Sequence, residues 1–214
     1  MQRTGSLAAQ AYERMRAAIV QGKLGPGEAI FENRIAEQFG MSRTPVREAL
    51  QVLARDGFVE MVPTRGYSVS RRSLDDLREL FELREALEGM ACRCAALRAT
   101  DAEIEELERM CGEYEQAKDW EAWAQTGTEI HSRIFATARN SRLVNLLDSL
   151  KSQTMLTRQS ALRSVRGRRE EAIQEHRAIL NAIKERDPDR AEREARAHVR
   201  LSHEATLRSF HSGL

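Results

Sequence analysis

Apolar residues recur at helical spacing along nearly the whole chain, and the spacing turns strand-like only between residues 58 and 70. Ala8, Ala11, Tyr12, Met15, Ala18 and Ile19 trace one face of a first helix, which ends at Gly22 before the turn-rich stretch Lys23 to Gly27. Ile35, Ala36 and Phe39 mark a short second helix stopped by Gly40, and Ser42 offers an N-cap for a third. On that third helix Val46, Ala49, Leu50 and Leu53 share one face, while Arg43, Thr44 and Arg47 lie on the opposite one. It ends near Asp56 and Gly57. Phe58 to Val62 and Tyr67 to Ser70 then form two short β-prone runs around Pro63, Thr64, Arg65 and Gly66, which predicts a hairpin.

Beyond this hairpin the pattern is helical to the C-terminus. Ser73, Leu74, Asp75 and Asp76 have the order of an N-cap followed by an acidic first turn. Breaks are expected at Thr100, with Glu103 completing a capping box, at Asp119, near Asn140 and Ser141, near Gly167, and at Asp187, where Pro188 takes the first helical position. About six helices and no sheet follow. The fold class is therefore mainly α, with a winged helix-turn-helix over residues 1–72, a short hinge, and an all-helical bundle over residues 73–214.

Two helices joined by a tight turn let the second enter the DNA major groove with its N-terminal side chains at the base edges, where Arg43 and Thr44 sit. A hairpin with a basic tip forms a wing that can follow the phosphate backbone or reach the minor groove, and Arg65 is the residue expected there. Sequence-specific binding to double-stranded DNA is the expected function. The charge distribution agrees but adds little: residues 1–72 carry 11 Lys and Arg against 7 Asp and Glu, and the rest carries 23 against 26.

Charged residues at 31% and aromatics at 5% suit a helical soluble protein. Cys92, Cys94 and Cys111 do not pair evenly and lack zinc-knuckle spacing, so reduced thiols within helices are expected. No charged-then-apolar leader opens the sequence, and no apolar run approaches the ~18 residues a membrane span needs. A cytoplasmic protein without a membrane partner is the expectation.

The run GEAIFENRIAEQFGMSRTPVREALQVLARDGFVEMVPTRGYSV resembles the DNA-binding domain of the GntR family of bacterial transcription regulators, SRTPVREAL most specifically. The resemblance covers roughly residues 10 to 70. It implies that Arg43, Thr44 and Arg47 touch bases and phosphates from a helix opened by Ser42, that Gly66 lets the wing backbone approach DNA, and that Asn33, with Arg34 beside it, meets phosphate. ELFELREALEGMACRCAA, EIHSRIFATARNSRLVNLL and EHRAILNAIKERDPDRAEREARAHV resemble the helical FCD effector domain of the FadR-type branch, in its shorter, six-helix VanR-like form.

Three histidines in that region face the apolar stripes of different helices: His131 with Gly127, Ile134 and Ala138, His176 with Ile173, Leu180 and Ile183, and His198 with Ala191, Ala195 and Ala205. A lone histidine on such a face is usually a hydrogen-bonded core residue. Three imidazoles converging inside a bundle are a set that can hold Zn²⁺, Ni²⁺ or Mn²⁺. The FCD resemblance implies one aspartate and three histidines around a divalent metal, and here Gly127 stands where that aspartate would be. Glu129 points to the other face and Thr128 is a poor ligand. A metal-free pocket that still uses the three histidines is the alternative. Arg84 interrupts the stripe Leu77, Phe81, Leu87 and Ala91, with Glu88 one turn on. It reads either as an intrahelical ion pair or, as the FCD pattern implies, as a fork for an effector carboxylate. Trp120 and Trp123 read as packing, and Arg163, Arg166, Arg168 and Arg169 as a solvated loop between helices, with an approach to flanking DNA as the alternative.

Together these features predict a ligand-responsive transcriptional regulator, a repressor rather than an enzyme, which binds a palindromic operator as a homodimer and senses a small organic acid through Arg84, His131, His176 and His198. The rivals are a helical metallohydrolase built on the three histidines and a nonspecific architectural DNA binder. The first leaves the helix-turn-helix unexplained and has no acid or base at a recognisable spacing. The second would show no operator preference at physiological salt.

Overall fold

In the computed structural model the chain divides into two compact units, Met1–Ser73 with Ser152–Leu156 and Leu74–Lys151 with Thr157–Leu214. The structure describes residues 6–63, 66–71, 73–165 and 167–211, with the backbone alone for residues 121, 152, 155–164, 210 and 211.

The N-terminal unit runs α1 (Leu7–Val20), β1 (Ala29–Ile30), α2 (Glu32–Phe39), α3 (Arg43–Arg55), β2 (Val59–Val62) and β3 (Gly66–Val69). Its three strands form an antiparallel sheet in the order β1-β3-β2, with Val59 opposite Val69 and Ala29 opposite Ser68. β1 has no counterpart in the sequence reading, because a strand of two residues after the Gly25-Pro26-Gly27 turn carries no period to detect. The periodic face of α3 is buried as its spacing requires: Val46, Ala49, Leu50 and Leu53 are at most 1% exposed, against Ala11, Met15 and Phe58. Each fully buried leucine contributes about 1.5–3 kcal/mol relative to an exposed one. Tyr12 on α1 donates to Asp56 at the end of α3 at 2.7 Å, and burial, with the Asp56 carboxylate beside it, pushes the phenol up to about 12.

Gly40 closes α2 in the left-handed conformation, φ 65° and ψ 36°, which sets the tight turn into α3. Ser42 occupies the N-cap position of α3 with extended backbone, but its hydroxyl makes no capping hydrogen bond. The third residue of the helix is Pro45, which has no N–H to donate to such a cap.

The C-terminal unit consists, among the described residues, of α4 (Leu74–Arg98), α5 (Asp101–Gln116), α6 (Trp120–Thr137), α7 (Ser141–Ser164), α8 (Arg168–Lys184) and α9 (Pro188–His211). The boundaries follow the expected punctuation. Thr100 and Glu103 form the reciprocal capping box, Asp119 accepts from the Ala122 N–H, and Pro188 opens α9. α4 and α9 lie so close that a Cβ on Gly89 would stand 2.9 Å from Arg196 Cγ. Leu107, Trp123, Ile130, Leu180 and Ile183 are at most 1% exposed and form the centre of the bundle. The three cysteines are buried free thiols; burial pushes Cys111 up to about 11 and Cys92 higher still, so neither is a thiolate at neutral pH. No described helix is long and apolar enough to cross a membrane.

Candidate functional site

Two groups of side chains stand out, one in each unit. In the N-terminal unit Arg43, Thr44 and Arg47 project from α3 into solvent, opposite its buried face. Arg43 and Arg47 line a shallow depression together with Phe31, Glu32, Asn33 and Gly66, so residues of α2, α3 and the wing strand share one concave patch. Gly66 has φ +88°, a conformation that a side chain would strain. Ser42, Thr44 and Arg34 are exposed outside that depression, and Arg65 lies outside the described residues.

Glu32 is the member of this patch that sequence reasoning did not pick out. Its carboxylate accepts from Arg47 Nε at 3.2 Å and Nη2 at 3.1 Å, and Arg43 Nη2 stands 3.6 Å away. The Arg47 hydrogen bond holds the Glu32 carboxyl below the ordinary carboxylate range, with the charges of both arginines adding to it. One acid therefore sits between two cations on adjacent turns of α3, within the same depression. Glu32→Gln should raise affinity for random-sequence DNA about two- to fivefold at low salt by removing a like charge. Fluorescence anisotropy at two salt concentrations checks this, and unchanged or weaker binding would contradict the placement of Glu32 beside DNA.

The second group lies inside the helical unit. His131 on α6, His176 on α8 and His198 on α9 bring nitrogens within 4.8 Å of one another, with 3.0 Å between Nε2 of His131 and Nε2 of His176. His176 and His198 are buried and His131 nearly so. Each ring is held from its other nitrogen or faces a carboxylate there. Nδ1 of His176 is 2.6 Å from the Ala172 carbonyl, Nδ1 of His198 is 2.7 Å from Glu175 Oε2, and Nδ1 of His131 is 3.6 Å from Glu88 Oε2. Two nitrogens about 2.1 Å from one ion lie about 3.0 Å apart at a right angle around it. The His131 to His176 spacing fits that geometry, whereas two imidazole lone pairs at this distance without a proton or cation between them repel. The three residues are a donor set of the kind that holds a divalent metal.

Gly127 is buried one turn before His131, Glu129 is exposed and accepts from Gln125, and the Thr128 hydroxyl donates to the Ala124 carbonyl. Glu129 is not among the side chains grouped with the three histidines. Arg84 is 3% exposed and donates to Glu88 at 2.7 Å, the intrahelical pair expected from its spacing, with its guanidinium over Phe81. Because Glu88 also faces His131, this pair lies beside the histidines and not apart from them.

The basic run at the start of α8 is not the solvated loop that its composition suggests. Arg168 is not solvated: it is 1% exposed, paired with both oxygens of Glu175 and donating to Ser202. Arg169 donates to the Ala117 carbonyl and covers the Trp123 ring. Arg166 and the Arg163 side chain lie outside the described residues. Position 168 is seven residues before Glu175 and eight before His176, on the face that Ala172 and Ile179 bury, and that register was the available signal.

A winged helix-turn-helix followed, among the described residues, by a domain of helices alone is the architecture of a DNA-binding transcription regulator. The chain belongs to the gntR family of bacterial regulatory proteins: the model of that family matches residues 7–69, and the FCD domain matches residues 79–201. It is 31% identical over 210 residues to the "Probable D-xylose utilization operon transcriptional repressor" of Paenarthrobacter nicotinovorans, covering 95% of this chain and 90% of that protein. It is 29% identical over 196 residues to the HTH-type transcriptional regulator YdhC of Bacillus subtilis, covering 88% and 86%. Its fold resembles that of E. coli McbR/YncC, with a TM-score of 0.80 at 22% identity over 97% of this chain and all of that one. The protein is thus a DNA-binding transcriptional regulator, and its relatives are named as regulators, not enzymes.

Proposed function

We propose that this regulator is a repressor that binds a palindromic operator as a homodimer and releases it on sensing a small organic acid beside a divalent ion. In this reading Arg43, Thr44 and Arg47 read bases and phosphates, Asn33, Arg34, Ser42 and Gly66 support them, and Arg65 belongs to the wing. The sign of regulation is supported by the relative named as a repressor. Dimerisation is supported by Leu83, Met90 and Leu97, which are 54%, 43% and 61% exposed at seven-residue intervals on one face of α4.

The observation that carries the effector reading is the convergence of His131, His176 and His198 next to the buried Arg84–Glu88 pair. The three histidines would hold Zn²⁺, Ni²⁺ or Mn²⁺, and with Gly127 in place of an acidic ligand a position is left for the effector's carboxylate. Such an ion supplies positive charge that an organic anion can meet, and Arg84 adds a planar fork for the same group. Protein purified without a histidine tag is expected to carry about one transition-metal ion per chain by elemental analysis, and less than about a tenth of an equivalent sinks the metal assignment. A thermal-shift screen of carboxylic acids with and without Zn²⁺, repeated on Arg84→Ala, should find an acid whose shift needs both the ion and the arginine.

A further inference from the structure

We infer that Glu88 and Glu175 are positioning residues for the three-histidine site, supplying from outside the coordination sphere the anionic character that Gly127 removes from inside it. The inference rests on the reading that these histidines hold an ion. The two carboxylates have the same arrangement on different helices. Glu175 on α8 gives Oε1 and Oε2 to the buried Arg168 and shares Oε2 with His198 Nδ1 at 2.7 Å. Glu88 on α4 gives Oε1 to the buried Arg84 at 2.7 Å and turns Oε2 toward His131 Nδ1 at 3.6 Å.

In both cases one arginine fixes a carboxylate that faces the nitrogen of a histidine opposite to its Nε2. A carboxylate on Nδ1 selects the tautomer with its proton there, which directs the Nε2 lone pair at an ion and makes that nitrogen more basic. Nδ1 of His176 faces a neutral carbonyl, that of Ala172, in the same place. Two of the three rings therefore face a carboxylate on their outer side, with the paired arginine on the far side of that carboxylate. The contacts differ in strength, since 2.7 Å is a formed hydrogen bond and 3.6 Å is not. Glu175 should matter more than Glu88.

The test is Zn²⁺ affinity measured by competition with a chromophoric chelator, together with the visible spectrum of the Co²⁺-loaded protein. Glu175→Gln, which keeps the shape and loses the charge, is expected to weaken Zn²⁺ binding 10- to 100-fold and to shift the Co²⁺ bands. Glu88→Gln should lose less, and Glu85→Gln, which removes a carboxylate paired with Arg200 on the surface of α4, should bind like wild type. If Glu175→Gln does not fold, Arg168→Gln with Glu175→Gln removes the stranded cation and carries the same expectation. Wild-type affinity in a folded protein lacking the Glu175 charge overturns the inference while leaving the metal reading intact. If wild type itself takes up no ion, both fall together.

Discussion

Arg168→Met should lower folding stability by about 3–5 kcal/mol, although the residue sits in a stretch whose composition suggests a solvated loop. The guanidinium is 1% exposed and the carboxylate it pairs with belongs to Glu175, whose side chain is 11% exposed. Burial by itself would pull the Arg168 guanidinium below its ordinary value; the Glu175 hydrogen bond and charge outweigh it, and the net direction is upward. Methionine matches much of the volume but leaves the mostly buried Glu175 carboxylate charged, facing His198 without its guanidinium partner. Replacing both partners together, as Arg168→Met with Glu175→Leu, should recover most of the loss, since two matched apolar groups strand no charge. Urea denaturation of the three proteins checks this. A loss of less than about 1 kcal/mol in the single variant would mean that the pair is solvated.

What the sequence disclosed and what it withheld divide along a physical line. Periodicity and punctuation are local, so the dry face of α3, the capping box at Thr100 and Glu103, and Pro188 at the start of α9 were all legible. The three histidines were legible for the same reason, each by its place on an apolar stripe, and the structure brings them together. Partners supplied by another element were not legible. Glu32 on α2 meets Arg43 and Arg47 on α3, and Glu88 on α4 meets His131 on α6, through contacts that no spacing within one helix encodes. Arg168 and Glu175 share a helix, and the register of Arg168 with Ala172 and Ile179 was in view, but the cover that Ser202 of α9 supplies was not. Ser42 failed as a side-chain cap for a local reason, since the prolyl nitrogen of Pro45 was in plain view.

Arg47→Ala and Arg43→Ala are each expected to weaken operator binding by about 1–3 kcal/mol, but in different ways. Arg43 is the first residue of α3, where a side chain reaches base edges once the helix enters the major groove, so its loss should narrow the gap between operator and random DNA. Arg47, one turn further along, is held by two bonds to Glu32 in the absence of DNA. Its contribution is expected at phosphate, so its loss should weaken all sequences alike and reduce the salt slope by about one charge. Loss of Arg47 also frees Glu32 to repel the backbone, which should place Arg47→Ala at the larger end of the range and make Glu32→Gln partly restore it. Anisotropy titrations of both variants and the Glu32→Gln, Arg47→Ala pair, against operator and random duplex at several salt concentrations, separate these terms. Equal loss of specificity in the two single variants would assign both arginines to base reading, and no loss in either would remove α3 from the DNA interface.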